Sequence, residues 1–271
     1  MPPRNARPDL IDKLTDGIRG LTSSQEWQRY LEVQSRFHSY SFSNVLLIAA
    51  QSPTATRIAG FHTWRNLGRT VRRGEKAIWI LAPMIYKKDQ EHAEDSRAEI
   101  RGFKFVPVFD VSQTEGDELP SICHRLSGDD AHRHFDDLVA VARSLEFTVE
   151  EVQLEGAMNG RCSHVVRRIQ IECRNAPTQN VKTLAHELAH AILHESVESR
   201  SLAELEAEST AFVVCHKLGV DSARYSFGYV ASWAGGGEAA VTAIKASSRR
   251  IQHAAATILN GLECGTEQAV A

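Results

Sequence analysis

The sequence predicts an α+β protein in two parts: N-terminal helices with a β-hairpin or small sheet, then a small sheet followed by helices in series. Three observations carry that reading. Helical periodicity fills the first fifty residues; two apolar runs at 77–86 and 102–111 flank a charged stretch; and beyond residue 122 strand-like segments give way to helices. Charge supports a division into 1–122 and 123–271, because residues 1–125 carry 18 Lys+Arg against 15 Asp+Glu and residues 126–271 carry 13 against 19. Halves of opposite sign point to different partners.

Taken in order, DLIDKLTDGIRGL (9–21) reads as a short amphipathic helix and SSQEWQRYLEVQSRF (23–37) as a second, with Ser23 and Glu26 spaced as a capping box. SFSNVLLIAAQS (41–52) is a third, ended by Pro53. Thr63 is placed to cap a short helix, Gly74 marks a turn, and AIWILAPMIY (77–86) and GFKFVPVFDV (102–111) are strands joined by a long charged loop. SQTEGDELPS (112–121) is the exit from the first part. The second part opens with a helix in DDAHRHFDDLVAVARSLE, then EFTVEEV and HVVRRIQIEC as strands around a turn at 156–160. The helices that follow are the one with TLAHELAHAILH, one through LAELEAESTAFVVCHKLG ending at Gly219, and two more near YVASWAG and at 239–262.

Some classes are excluded. No stretch is apolar for eighteen residues, and MPPRNARPDL lacks a signal-type apolar run, so the expectation is a cytoplasmic chain with no membrane partner. Five cysteines at long spacings, with no C-x-x-C, argue against a disulfide framework or a cysteine zinc site, and none lies near the histidine motif in sequence.

His186 and His190 are four apart, one helical turn plus about 40°, so both rings leave one face. H-E-x-x-H on a helix suits zinc, which an i, i+4 imidazole pair can chelate. Leu184, Leu188, Ala191 and Ile192 form the apolar stripe expected to bury that helix. A third histidine is not the remaining ligand: the metzincin positions hold Leu193 and Ser196, and His194 lies two turns from His186. The next helix offers carboxylates. Glu204 and Glu208 share a face, whereas Glu206 points away and is expected in solvent. Glu204 is preferred as third ligand, with Glu208 either orienting a histidine or replacing it, although Ser201-x-x-Glu204 also reads as a capping box. Glu187, turned about 100° from the ligands, is the catalytic general base for water attacking a carbonyl. Tyr229, Tyr225 and His216 are candidates for stabilising the oxyanion.

HELAH followed by E-L-E-A-E resembles the zincin metallopeptidases, thermolysin-like and ImmA-like, whose second motif is E-x-x-x-D. The resemblance implies Glu204 as ligand and Glu208, in place of the Asp, behind a histidine. Residues 57–76 hold six basic side chains and one acidic one, with Phe61 and Trp64 interleaved, a composition suited to phosphates and unpaired bases. YSFSNVLLI, GFHTWRNLGRTVRRGEKAIWIL and FDVSQTEG together resemble the N-terminal domain of ArdC-type antirestriction proteins of mobile genetic elements. That resemblance implies a single-stranded-DNA-binding domain ahead of a Zn²⁺-dependent metallopeptidase domain acting on an unidentified protein. The residues named as DNA contacts are Trp64, Arg69, Arg72, Arg73 and Lys76, with Asn44 a family-like position suited to bridging backbone. The alternatives are an ImmA-like peptidase whose first half recognises a regulator protein, and a DNA-binding protein whose zinc site is structural or vestigial.

Overall fold

A computed structural model describes residues 6–21, 23–86, 99–119, 130–196, 199–220 and 237–268. The chain forms two compact units, Met1–Gly17 with Ser43–Pro120, and Ile18–Phe42 with Ser121–Ala271. The segment 18–42 therefore packs with the later part of the chain, although it precedes the hairpin in sequence.

In the first unit, α1 (Ala6–Gly20, shared with the second) is followed by α3 (Phe42–Gln51). The strands β3 (Ile78–Tyr86) and β4 (Glu99–Asp110) form an antiparallel hairpin with a register shift between Pro83 and Ile85. The charged residues 87–98, read as its loop, lie outside the described residues. The short β1 (Ile58–Ala59) extends this sheet in the order β1-β4-β3, and β2 (Arg69–Val71) pairs separately with β5 (Thr114–Gly116). Ile78, Ile80 and Val108 turn one face of the hairpin into the core with Val45, Leu47 and Ile48. The outer edge of β3 is satisfied by side chains. Asn44 exchanges two hydrogen bonds with the Leu81 backbone, 2.7 and 2.9 Å, and Gln51, seven residues on, does the same with Trp79 at 3.0 and 2.9 Å. Two amides two turns apart on one helix thus stand in for a neighbouring strand.

The short helix α4 (Phe61–Asn66) starts at Gly60, and Thr63 lies inside it; the expected Thr63 cap is not made. Trp64 is 2% exposed and donates Nε1–H to the Phe109 carbonyl at 2.9 Å. This corrects its assignment as a DNA contact, because a core ring offers no face to a base.

In the second unit, α2 (Ser24–Arg36) is capped by Ser23, whose Oγ accepts from the Glu26 amide at 3.2 Å. It packs on α7 (Arg200–Leu218), with Trp27 Nε1–H donating to Ser209 Oγ at 3.0 Å. After α5 (Asp130–Ser144) come β6 (Thr148–Val152), β7 (Gly160–Ser163) and β8 (Arg168–Glu172) in the order β6-β8-β7. β6 is parallel and β7 antiparallel to β8. The run HVVRRIQIEC was expected as one strand, but its first four residues turn the β7–β8 hairpin, with Arg167 at φ 49°. Ile169 and Ile171 are buried on one side of β8; on the other, Gln170 bonds Glu150 and Arg161.

The helix α6 (Pro177–Leu193) begins with proline at its first position, where no amide is lost. Its buried stripe is Val181, Leu184, Ala185, Leu188 and Ala189; the expected Ala191 and Ile192 are only half-buried. α7 is buried on almost every side and ends at Gly219, whose φ of 72° is the left-handed conformation that closes a helix at low cost. The last helix, α8 (Gly237–Gln268), packs on α5, α6 and α7. The helix expected near YVASWAG, with Tyr225 and Tyr229, lies outside the described residues. Among the described residues no helix is long and apolar enough to cross a membrane.

Candidate metal centre

Two antiparallel-facing helices build the site. From α6, His186 and His190 bring their Nε2 atoms to 3.0 Å of each other. From α7, Glu204 brings Oε2 to 3.4 Å from His186 Nε2 and 3.8 Å from His190 Nε2. In a tetrahedral site with bonds of about 2.0–2.1 Å, neighbouring ligand atoms stand about 3.3–3.4 Å apart. The triangle is therefore of the right size, and its three ligand atoms all lie within 4.8 Å of one another. Glu204 is not occupied as a cap: Ser199 holds that place and Ser201 is inside the helix.

Each far nitrogen of the pair is also held. Glu208 Oε2 lies 3.3 Å from His186 Nδ1, and Glu208 Oε1 lies 3.3 Å from Lys182 Nζ. His190 Nδ1 lies 2.9 Å from Nδ1 of His194, and His194 Nε2 lies 3.0 Å from Glu206 Oε2. Glu206 was expected in solvent. It is instead fully buried and meets both His194 and, at 3.0 Å, Arg250 Nε of α8. Pointing away from the metal face on a buried helix means pointing into protein.

Electrostatics follow from this crowding. Burial would depress the His186 imidazolium, but hydrogen bonds to Glu204 and Glu208 and the charge of Glu187 outweigh it and lift the group to about 9. The His186 and His190 rings hold Glu204 well below the usual carboxylate range. Against burial, His186 and Lys182 also pull Glu208 down. Glu187 moves the other way: burial raises it, only partly offset by His186 and His190.

Glu187 is buried between α6 and β7. A Cβ added to Gly160 would fall 2.5 Å from Thr183 Cγ2 and 2.9 Å from Glu187 Oε1, so only glycine lets β7 pass this close. Cys162, two residues on, faces the same way. Its thiol is pushed up to about 12 by burial and by the Glu187 charge. A cysteine distant from the motif in sequence therefore approaches it in space; β7 brings it there. His164 completes the row, its Nε2 lying 3.1 Å from the His190 carbonyl oxygen. None of this row was named from sequence, because β7 was not read as a strand. His216 is corrected as an oxyanion group: it lies twelve residues beyond Glu204 on α7, about 18 Å along the axis, and bonds Ser35 Oγ at 3.0 Å.

In the first unit the basic residues divide. Arg69 donates to Thr114 Oγ1 at 2.8 Å and to the carbonyls of Thr114, Gly116 and Asp117. Arg72 pairs with Glu75 at 2.8 Å and donates to the Ser112 carbonyl at 2.6 Å. Both guanidinium groups hold the β2–β5 ribbon. Arg73 and Lys76 are exposed, and their side chains make no hydrogen bond or ion pair among the described residues.

Comparison with known proteins gives a consistent picture. Residues 7–111 match the family profile of the N-terminal domain of anti-restriction factor ArdC, and residues 136–219 match the peptidase M78 profile, the IrrE N-terminal-like domain. The metal-free crystal structure of antirestriction protein ArdC from plasmid R388 is similar with a TM-score of 0.53 and 22% identity, covering 83% of this chain and 85% of that one. Its Mn(II)-bound structure gives 0.57 and 20%, covering 92% and 97%. An uncharacterized protein of Bacillus anthracis is 25% identical over 300 residues, covering 94% of this chain; the chain spans about half (51%) of that relative's length. The fold is thus α+β with a zincin-like second domain, and the order of the two matched domains is the ArdC-type architecture.

Proposed function

We propose that this chain, ArdC-type in its architecture, binds single-stranded DNA through its first domain and hydrolyses peptide bonds of a protein through a metal centre in its second. The observation that carries the enzymatic half is the convergence of His186, His190 and Glu204 on one point beside a buried carboxylate, Glu187. Two imidazoles and a carboxylate suit Zn²⁺, the ion we assign, and also accept Mn²⁺. When bound, the cation supplies Lewis acidity toward a water and a substrate carbonyl.

The chain's own groups supply the rest. His186 and His190 present Nε2, with Nδ1 of each turned to Glu208 and His194, so both rings are fixed in orientation. Glu187, its affinity for a proton raised by burial, takes a proton from the attacking water and delivers it to the departing amine. β7 is an edge of its sheet among the described residues and runs past Glu187, which suits an extended peptide laid alongside it. DNA binding is supported by the ArdC-type match over residues 7–111 and by the exposed cations Arg73 and Lys76, unpaired among the described residues. Trp64 has no part in it.

Glu187→Gln tests the enzymatic half. The amide keeps the shape and loses the base, so cleavage of the protein substrate should fall about 10²–10⁴-fold with metal content unchanged. Unaltered cleavage would remove Glu187 from the chemistry. Titration of a labelled oligonucleotide at several salt concentrations tests the other half: binding should weaken as salt rises, and an absence of salt-sensitive binding excludes it.

A further inference from the structure

The metal ligand His190 is backed by another histidine, which is in turn backed by a buried carboxylate paired with an arginine. Resting on the metal-centre reading above, we infer that His194, Glu206 and Arg250 form a positioning relay that fixes which His190 nitrogen faces the cation and strengthens its hold. The chain of contacts is continuous: His190 Nδ1 to His194 Nδ1 at 2.9 Å, His194 Nε2 to Glu206 Oε2 at 3.0 Å, and Glu206 Oε2 to Arg250 Nε at 3.0 Å. It joins α6, α7 and α8. His194 is 5% exposed and Glu206 0%, so neither exchanges partners with water.

The chemistry allows one arrangement of protons along this chain. For Nε2 of His190 to ligate, its hydrogen must sit on Nδ1. Nδ1 of His194, 2.9 Å away, must then be the acceptor, which places the His194 hydrogen on Nε2, facing Glu206. The Glu206 carboxylate accepts that hydrogen, and Arg250 supplies the opposite charge that lets an acid lie buried there. Arg250 Nη2 also donates to the Leu193 carbonyl at 3.0 Å, so the same guanidinium closes the end of α6, next to His194. The backing group on this ligand is thus a relayed carboxylate, whereas His186 meets its carboxylate, Glu208, directly. A histidine was needed because Glu206 lies on the opposite face of α7 from Glu204, and one side chain has to bridge the gap.

The test compares His194→Asn with His194→Phe. The Oδ1 of asparagine occupies about the place of histidine Nδ1 and keeps an acceptor for His190, whereas phenylalanine fills the volume and accepts nothing. Zn²⁺ affinity is measured by chelator competition on the full chain, alongside the melting temperature of the ion-free protein. The relay predicts wild-type binding, a loss of about 10–100-fold in His194→Phe, and recovery to within about threefold in His194→Asn. Equal affinities in both variants and wild type overturn the relay, as does an asparagine variant as weak as the phenylalanine one. Failure of the wild-type chain itself to bind Zn²⁺ would instead overturn the metal centre. A second measurement needs no variant: long-range ¹H–¹⁵N spectra of the Zn²⁺-loaded wild-type chain should show His194 protonated on Nε2 and His190 on Nδ1. A hydrogen on Nδ1 of His194 contradicts the relay, even if His194→Phe does not fold.

Discussion

The histidine helix and the basic turn around β2 are both marked by dense polar residues, and the molecule uses them in opposite ways. On α6 the Nε2 atoms of His186 and His190 meet the Glu204 carboxylate at one point and, among the described residues, donate to no backbone carbonyl. Around β2, Arg69 and Arg72 direct their guanidinium hydrogens at backbone carbonyls of residues 112–117. The difference follows from what each backbone already has. A seventeen-residue helix satisfies its own carbonyls and leaves its side chains free, whereas two three-residue strands leave carbonyls that side chains must satisfy. Residue type and spacing alone do not distinguish a site from a staple; the state of the neighbouring backbone does.

The sharpest way to break that contrast is at Gly160. Gly160→Ala forces β7 or Glu187 to move, because the new methyl meets Thr183 and Glu187 at under 3 Å. Proteolytic turnover should drop about a hundredfold, as displacing a catalytic group by about 1 Å does, while Zn²⁺ content stays at the wild-type level. Undiminished turnover would show that β7 does not constrain the base.

Arg69→Ala should lower stability by about 2 kcal/mol in a denaturant melt, since it strips donors from the Thr114 and Gly116 carbonyls and the Thr114 hydroxyl of β5. The double change Arg73→Ala with Lys76→Ala should leave the melt unchanged. Instead it should reduce the salt dependence of oligonucleotide binding by a slope of about 1.4, the value for two phosphates on a single strand. A reversed pattern, with Arg69 governing DNA and the other pair governing stability, would collapse the distinction between staple and contact.

The pH dependence of metal binding sharpens the other side. In the ion-free chain His186 holds its proton up to about 9, so the stability it gains from Glu204 and Glu208 is present at lower pH and lost as pH rises through that value. A cation must displace the proton, so apparent affinity should fall about tenfold for each unit of pH below 9. Glu204, held well below the usual carboxylate range, keeps its charge throughout that window. A flat profile between pH 8 and 7 would mean that His186 carries no proton for the cation to displace in that range. The smallest effect on DNA binding is expected for Trp64→Phe, which loses the hydrogen bond to Phe109 and part of a buried ring: about 2–3 kcal/mol of stability, and no change in oligonucleotide affinity.

Much of this was legible in the sequence, for identifiable reasons. The long helices carry their periodicity over three or more turns, and the β3–β4 hairpin has long apolar runs. The i, i+4 pairs His186–His190 and Glu204–Glu208 need only helical geometry to be placed on shared faces. The three-residue strands β2 and β5 were not legible, because so short a segment has no period. β7 was missed because four residues opening on Gly160 carry no apolar alternation; its partner β8 and the close approach to α6 hold it in place. Glu206 was misjudged because the exposure of a helix face depends on its neighbours, and α7 is wrapped by α2, α6 and α8. Trp64 was misjudged because an aromatic among arginines reads equally as a stacking platform or as the buried residue anchoring a short helix.

The most direct test of the central claim is a titration of the full chain with Zn²⁺ and, separately, Mn²⁺, comparing wild type with Glu204→Ala, a half-exposed side chain whose removal leaves no cavity. The account predicts one ion per wild-type chain and at least tenfold weaker binding in the variant, with its helical circular dichroism intact. Wild-type affinity in a folded Glu204→Ala chain would show that Glu204 contributes nothing to the cation, and the proposed centre would not exist as drawn.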